Sequence, residues 1–305
     1  MASFKDWVRA LRAPFFSASI WPVVIGTSAA YYASGEIDWL RAGLALLAIV
    51  LINLGTNLTN DYYDHKSGND EANLQHNPFS GGSRVIQEGI IPPKAVLAAA
   101  LTSFGLAGVL GIYLNYLAGG WVILAIGLFG VLAGFFYTAT PVKLGYRHMG
   151  EILVGICLGP LAIIGAYYLQ TGEVAWQVAV FAGIPIGLMV YLILYINEFP
   201  DYEADKAAGK LTVVVLLGCK KARFGFHALI SSVFIIVIVG SISGYLPPWS
   251  LLALGALPLA LKAMAVIHKN YDRFPQMLGA SAMTIMTHLA VGLLLSLGYV
   301  LERLV

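Results

Sequence analysis

Asn57, Asn60, Asp61, Asp64 and Asp70 crowd oxygen-bearing side chains into one short stretch, and Asn197, Glu198, Asp201 and Asp205 do so again later in the chain. Carboxylates this close repel one another and resist desolvation unless a cation holds them together. Their oxygens are hard ligands, which favours Mg²⁺ over zinc, and Mg²⁺ characteristically keeps waters and fills its shell with phosphate oxygens. On a helix, Asn57, Asp61 and Asp64 fall four and then three residues apart on one face, which Asn60 borders. Asn197, Asp201 and Asp205 repeat that geometry at intervals of four. Two such faces set opposite each other would clamp a diphosphate through metal ions. A solvated helix end explains any single aspartate here, but not the same pattern twice.

The chain around these clusters is built for lipid. With 59% hydrophobic and 11% charged residues among 305, and a mean hydropathy of +0.79, an ordinary soluble domain is excluded. Apolar segments at about 14–34, 39–60, 95–117, 120–140, 150–170, 176–197, 224–244, 249–267 and 278–300 are each long enough to span. They predict an all-α membrane protein with nine transmembrane helices, arranged as two four-helix-like halves plus one helix. The chain reads as a single domain over 1–305, with cap loops at about 61–94 and 198–223. Lys5, Arg9 and Arg12 precede the first segment, and Lys66, Arg84, Lys94, Lys143, Arg147, Lys206, Lys210, Lys220, Lys221, Arg223, Lys269 and Arg273 follow the even-numbered ones. The opposite loops are nearly free of Lys and Arg, so the N-terminus and both acidic clusters are expected on the cytoplasmic side. The N-terminal stretch holds Pro14 and Pro22 and has no clear small-residue cleavage site, so it reads as a retained helix.

Lys66, Arg84, Lys143 and Arg147 share the cytoplasmic layer and can bind phosphate oxygens, although the positive-inside bias also accounts for them. Tyr137, after the fourth segment, either faces a cavity or anchors the interface. Cys157, inside an apolar run, and Cys219, in a loop, support neither a disulfide nor a thiolate site. His65 and His148 lie near the acidic layer without paired spacing, and His227 and His288 are expected to bond a neighbouring helix. No Walker-type glycine loop, nucleophile elbow or zinc-protease motif occurs, and no nucleic-acid partner is expected.

These residues resemble a known family. Asn60-Asp61-Tyr62-Tyr63-Asp64 is similar to the first aspartate motif of the UbiA superfamily of intramembrane prenyltransferases, and Asn197 to Asp205 followed by Lys206, Gly209, Lys210 and Thr212 is similar to the second. Gly68 with Asp70, Gly150-Glu151, Gly159-Pro160 and the run Gly165 to Gly172 with Tyr167, Tyr168 and Gln170 resemble the branch that prenylates 1,4-dihydroxy-2-naphthoate in menaquinone synthesis. The hydroxybenzoate branch usually carries an aspartate where Gly68 stands. Glu198 and Pro200 depart from a common asparagine and arginine.

The resemblance implies Mg²⁺ held by Asn60, Asp61, Asp64, Asn197, Asp201 and Asp205. It implies diphosphate contacts from Arg84 and Lys143, with Asn57, Lys66 and Arg147 in the same layer, and Tyr137 near the reacting carbon. Asp64, Asp201 and Tyr137 are the expected catalytic residues. The implied reaction ionises a polyprenyl diphosphate and joins the allylic cation to an electron-rich aromatic ring, with loss of the acceptor's carboxylate in the naphthoate branch. The implied location is the plasma membrane, with the active site facing the cytoplasm. Other acceptors of the superfamily, such as hydroxybenzoate, homogentisate or an archaeal glycerol phosphate ether precursor, are the alternative. A transporter would place polar groups at depth rather than at one membrane face. The compact signature of CDP-alcohol phosphotransferases is absent.

Overall fold

The computed structural model describes residues 2–305, the side chains at 13 and 14 excepted, and it is all helical. Among the described residues there are no strands, only isolated bridges at Asn77 with Ser80 and Arg147 with Leu211. The long helices are α1 (Ser17–Ser34), α2 (Trp39–Ser67), α3 (Pro93–Ala118), α4 (Val122–Phe136), α5 (Gly150–Thr171), α6 (Trp176–Ala207), α7 (Cys219–Ile242), α8 (Pro248–Asn270) and α9 (Leu278–Leu304). Seven of them, α2, α3 and α5 to α9, are long and apolar enough to cross a membrane, and α4 is a shorter apolar helix. The protein is therefore an integral membrane protein. α1 is not among the seven; Ser17, Ser19, Thr27, Ser28 and Ser34 dilute its hydropathy. Cys219, expected in a loop, is instead the first residue of α7.

α6 is the central helix. In its most apolar stretch 67% of residues are buried within the protein, against 28% for α2 and α3, whose outer faces meet lipid. α2 and α6 also run past their apolar stretches, to Ser67 and Ala207, because their polar ends find partners inside the protein.

α5 and α6 are joined through glycines spaced by four: Gly155 and Gly159 on one, Gly183 and Gly187 on the other. Small residues at this spacing let helix backbones meet, and here they do. A Cβ at Gly159 would lie 2.5 Å from the Gly183 carbonyl oxygen, one at Gly183 would lie 2.8 Å from the Pro160 Cα, and one at Gly187 would strike the Gly155 carbonyl. Each helix also carries a π-type turn at this contact, at Cys157–Leu161 and Ala179–Gly183. Gly187→Leu is expected to destabilise the protein by about 1–3 kcal/mol through overpacking against backbone that cannot yield. The thermal unfolding midpoint in detergent measures it, and an unchanged midpoint would refute the close contact.

Candidate active site

Two glycines aim the polar ends of α2 and α6 at each other. Gly68 ends α2 at φ +80° and Gly209 follows α6 at φ +69°, left-handed values that other residues adopt only under strain. Beyond Gly68 a single helical turn, Asn69–Ala72, sends side chains across to α6. Asn69 Nδ2 donates to Asp205 Oδ1 at 3.2 Å, and Asn73 Nδ2 donates to Asp201 Oδ1 at 2.8 Å. Beyond Gly209 the Lys210 N–H donates to the Asp205 carbonyl at 2.8 Å, which folds the lysine back over the helix end. Lys210 Nζ then lies 3.5 Å from Asp205 Oδ1 and 3.8 Å from Asp64 Oδ2. One ammonium group thus bridges the acidic ends of both helices.

Asp64 also accepts from Asn60 Nδ2 at 2.7 Å and from the Tyr146 hydroxyl at 2.8 Å. Tyr146 lies between two cations, with Lys143 Nζ 4.8 Å and Lys210 Nζ 5.5 Å from its ring centre. Asp61 turns the other way, to the Arg12 guanidinium and the Ser83 hydroxyl. Arg12 reaches Asn60 Oδ1 as well, at 3.4 Å. Asn197 Nδ2 donates to the Phe79 carbonyl at 2.9 Å, and its Oδ1 is buried with no partner.

The charges are mutually dependent. Burial would push the Lys210 ammonium toward neutrality, but Asp205 and Asp64 outweigh it and hold the group charged. Arg12 follows the same logic against burial, with Asp61 and Asp70 as its counter-charges. Asp70 is the converse case: burial, then the charges of Asp64 and Asp61, push its carboxyl up to about 8. A raised carboxyl binds its proton more readily folded than unfolded, so its contribution to stability falls as pH rises from about 4 toward 8. Asp70→Asn is therefore expected to stabilise metal-free protein more at pH 8 than at pH 6. Thermal midpoints at the two pH values test this, and an equal change at both would contradict it.

These groups form the polar end of a cavity of about 530 Å³, within the range of small-molecule sites. Asn57, Asn60, Asp64, Tyr137, Asn197, Asp201 and Asp205 line it, as do Arg12, Asp70 and Lys210. Asp61 does not; its oxygens are taken by Arg12 and Ser83 behind the wall. Arg84 donates to the Asp70 carbonyl, and Lys143 covers Tyr146, so both brace the wall from outside it. Lys66 and Arg147 are exposed and outside the lining. Arg12, Arg84 and Lys143 share a left-handed backbone, with φ of 49°, 67° and 49°, a strained state that costs about 1–3 kcal/mol each and persists where the surroundings fix it.

Sequence reasoning counted Arg12 only as a topology marker, gave Lys210 a place in the second motif but no contact, and passed over Asn69, Asn73 and Tyr146. Gly68 and Gly209, at matching places after the two clusters, were the signal that chain would fold back there. His65 Nδ1 pairs with Glu71 at 2.5 Å, and His148 is exposed. His227 Nε2 bonds the Met264 carbonyl oxygen at 3.2 Å, as expected. Neither ring nitrogen of buried His288 has a partner, so it does not bond a neighbouring helix as expected.

Among the described residues, no three His, Cys, Asp or Glu side chains converge as a ready-made metal cage. Mg²⁺ does not need one, since it is held through one or two carboxylates with phosphate and water completing the shell. The donors are all hard oxygens, and the buried Asn197 Oδ1 is an amide oxygen without a hydrogen-bond donor. The set fits that ion.

The profile of the UbiA prenyltransferase family matches residues 19–299. The chain belongs to this family. It is an enzyme, a membrane-embedded prenyltransferase. A 1,4-dihydroxy-2-naphthoate octaprenyltransferase of Bacillus subtilis (strain 168) is 32% identical over 286 residues, covering 94% of this chain and 89% of the relative. A 2-carboxy-1,4-naphthoquinone phytyltransferase of Synechocystis sp. is 27% identical over 299 residues, covering 98% of this chain and 94% of that one. The solved UbiA homolog from Archaeoglobus fulgidus bound to GPP and Mg²⁺ superposes with a TM-score of 0.65 at 16% identity, covering 94% of this chain and 99% of that one. At that identity the superposition speaks for the shared UbiA fold.

Proposed function

We propose that this UbiA-family enzyme transfers a polyprenyl group from an allylic diphosphate to 1,4-dihydroxy-2-naphthoate, with Mg²⁺ as cofactor, in menaquinone synthesis. The observation that carries this reading is one cavity with two chemistries. Its polar end gathers Asp64, Asp201, Asp205, Lys210 and Arg12 among other polar groups, and most of the remaining lining is apolar. Ile112, Leu124 and Leu128 line it and are also exposed on the lipid-facing sides of α3 and α4, so an isoprenoid tail can enter from the bilayer. A diphosphate head and a long hydrocarbon tail need that combination.

In this reading Asn60, Asp64, Asn197, Asp201 and Asp205 hold Mg²⁺ together with the diphosphate, and Asp61 fixes the cluster through Arg12 and Ser83. Bound there, the metal supplies positive charge to the departing diphosphate. Lys210 and Arg12 lie close enough to do the same with N–H groups; Arg84 and Lys143 position the loops around them. Departure of the diphosphate with the C–O bonding pair leaves an allylic cation. Tyr137 offers that cation a ring face, the acceptor ring supplies the electron pair of the new C–C bond, and the acceptor's carboxylate leaves as CO₂. Asn57 lines the wall, and Lys66 and Arg147 serve the approach of diphosphate along the surface. We place nine helices across the plasma membrane as one domain in two four-helix halves plus one. The N-terminus and site face the cytoplasm, where the basic loops gather.

Purified protein incubated with Mg²⁺, a polyprenyl diphosphate and a panel of acceptors should yield a prenylated naphthoquinol lacking the carboxylate, read by mass. A product from hydroxybenzoate or homogentisate instead would refute the acceptor. Chelation of the metal should stop turnover, and restored Mg²⁺ should return it.

A further inference from the structure

One cavity-lining group has no role in this chemistry. Glu151 is 1% exposed, and its Oε2 has no hydrogen-bond partner. Its carboxyl is in hydrogen-bond contact with that of Glu198, which also lines the cavity and whose Oε2 accepts from the Val214 N–H at 3.0 Å. No lysine, arginine or histidine among the described residues forms a salt bridge with either carboxyl. The pair is therefore set apart from the cation-bridged cluster around Asp64.

Its position follows from the helix contact. Glu151, Gly155 and Gly159 are spaced by four along α5, so the face that closes on α6 through its glycines also carries Glu151 toward Glu198. The same pair shares the cavity wall with Tyr137. A buried acceptor oxygen with nothing to accept from is costly, and such groups mark a place for a donor. A free cation would find two carboxyl groups here, but most of the cavity lining is aliphatic, with Tyr137 and three phenylalanines. A neutral ring bearing a hydroxyl fits better.

Resting on the prenyl-transfer reading, we propose that Glu151, positioned by Glu198, is the subsite for a ring hydroxyl of the aromatic acceptor, whose O–H donates to Glu151 Oε2. The bond orients the ring against Tyr137 and draws the O–H proton toward the carboxyl, which enriches the ring carbons that must attack an allylic cation. Acceptor specificity then follows from the hydroxyl rather than from the acceptor's carboxylate.

The test uses full-length enzyme with Mg²⁺, a polyprenyl diphosphate and matched acceptors bearing a free or a methylated hydroxyl. Wild-type enzyme should show an acceptor KM about ten- to a hundredfold lower for the free hydroxyl, because the methylated acceptor leaves the buried Glu151 oxygen unpaired. Glu151→Gln should raise the acceptor KM by a similar factor, leave the donor KM within about twofold, and shrink the preference for hydroxyl over methoxy. Glu198→Gln should act in the same direction through a misplaced Glu151. Normal acceptor KM and undiminished preference in Glu151→Gln overturn the assignment. Should that variant fail to fold, the wild-type comparison decides: equal KM for the two acceptors overturns it, and the stated preference supports it. Absence of prenyl transfer to every phenolic acceptor by wild-type enzyme overturns instead the functional reading beneath it.

Discussion

Asp64→Ala should lower turnover about a thousandfold or more while the protein remains folded in the membrane. Asp64 is the carboxylate on which the site turns: it receives Asn60, Tyr146 and Lys210, and it faces the end of α6. Alanine removes a proposed metal donor and also frees Lys210 to pair with Asp205 alone. Asp201→Ala should have a comparable effect, since Asp201 lines the cavity and accepts from Asn73 of the opposing loop. Turnover is measured by product mass under saturating substrates, with retention in the membrane and a cooperative thermal transition as the folding control. Asp64→Asn keeps the shape but not the charge and should recover little activity. Near-normal turnover in both alanine variants would sink the assignment.

Lys210→Met should act on stability and catalysis together, and the metal should separate the two. Without Mg²⁺, the Lys210 ammonium is the cation that lies between Asp64 and Asp205, with only 14% of its side chain exposed. Removing one partner of a buried ion cluster leaves uncompensated charge and costs about 3–5 kcal/mol. The thermal midpoint of metal-free protein should fall accordingly. Added Mg²⁺ should raise that midpoint more in Lys210→Met than in wild type, because the metal then supplies the missing positive charge; ligand that binds only the folded state stabilises it by mass action. Turnover should still fall about a hundredfold in saturating Mg²⁺, because the N–H donors meant for the departing diphosphate are gone. A variant as stable as wild type without metal, and indifferent to Mg²⁺, would show that Lys210 does not bridge the two acidic ends.

The sequence made the two acidic helix ends legible because each is a local pattern. Carboxylates and amides at intervals of three and four mark one helical face wherever the helix goes, and the grouping of Asn60, Asp64, Asn197, Asp201 and Asp205 on the polar helix ends needed nothing more. It was equally clear that the chain belongs in a membrane, since long apolar runs leave no other solvent for themselves. Span counting was harder at α1, where serines and threonines buried between helices lower the hydropathy that the reading depends on.

Loops were the limit. The rule that places lysine and arginine on one side of a membrane says which layer they occupy and nothing of where they point. Lys66 and Arg147 were therefore named as phosphate contacts and Arg12 and Lys210 were not, yet the former pair is exposed and the latter reaches into the acidic cluster. The difference comes from backbone direction, set by left-handed residues at Arg12, Gly68 and Gly209 and by the turn that returns Lys210 to Asp205. Asn69, Asn73 and Tyr146 owe their partners on α6 and α2 to the same folding-back.

What the sequence determined by itself was the chemistry of each helix: which face is polar, which is apolar, and that hard oxygen-bearing side chains sit at matching ends. Tertiary structure alone decided that those ends meet on one lysine, that Asp61 faces Arg12 rather than the cavity, and that Glu151 comes to rest against Glu198. Helical periodicity repeats every few residues and can be read along the chain. Contacts between residues dozens to more than a hundred apart depend on how closely glycine-lined helices approach and how their loops turn, and no local pattern encodes those distances.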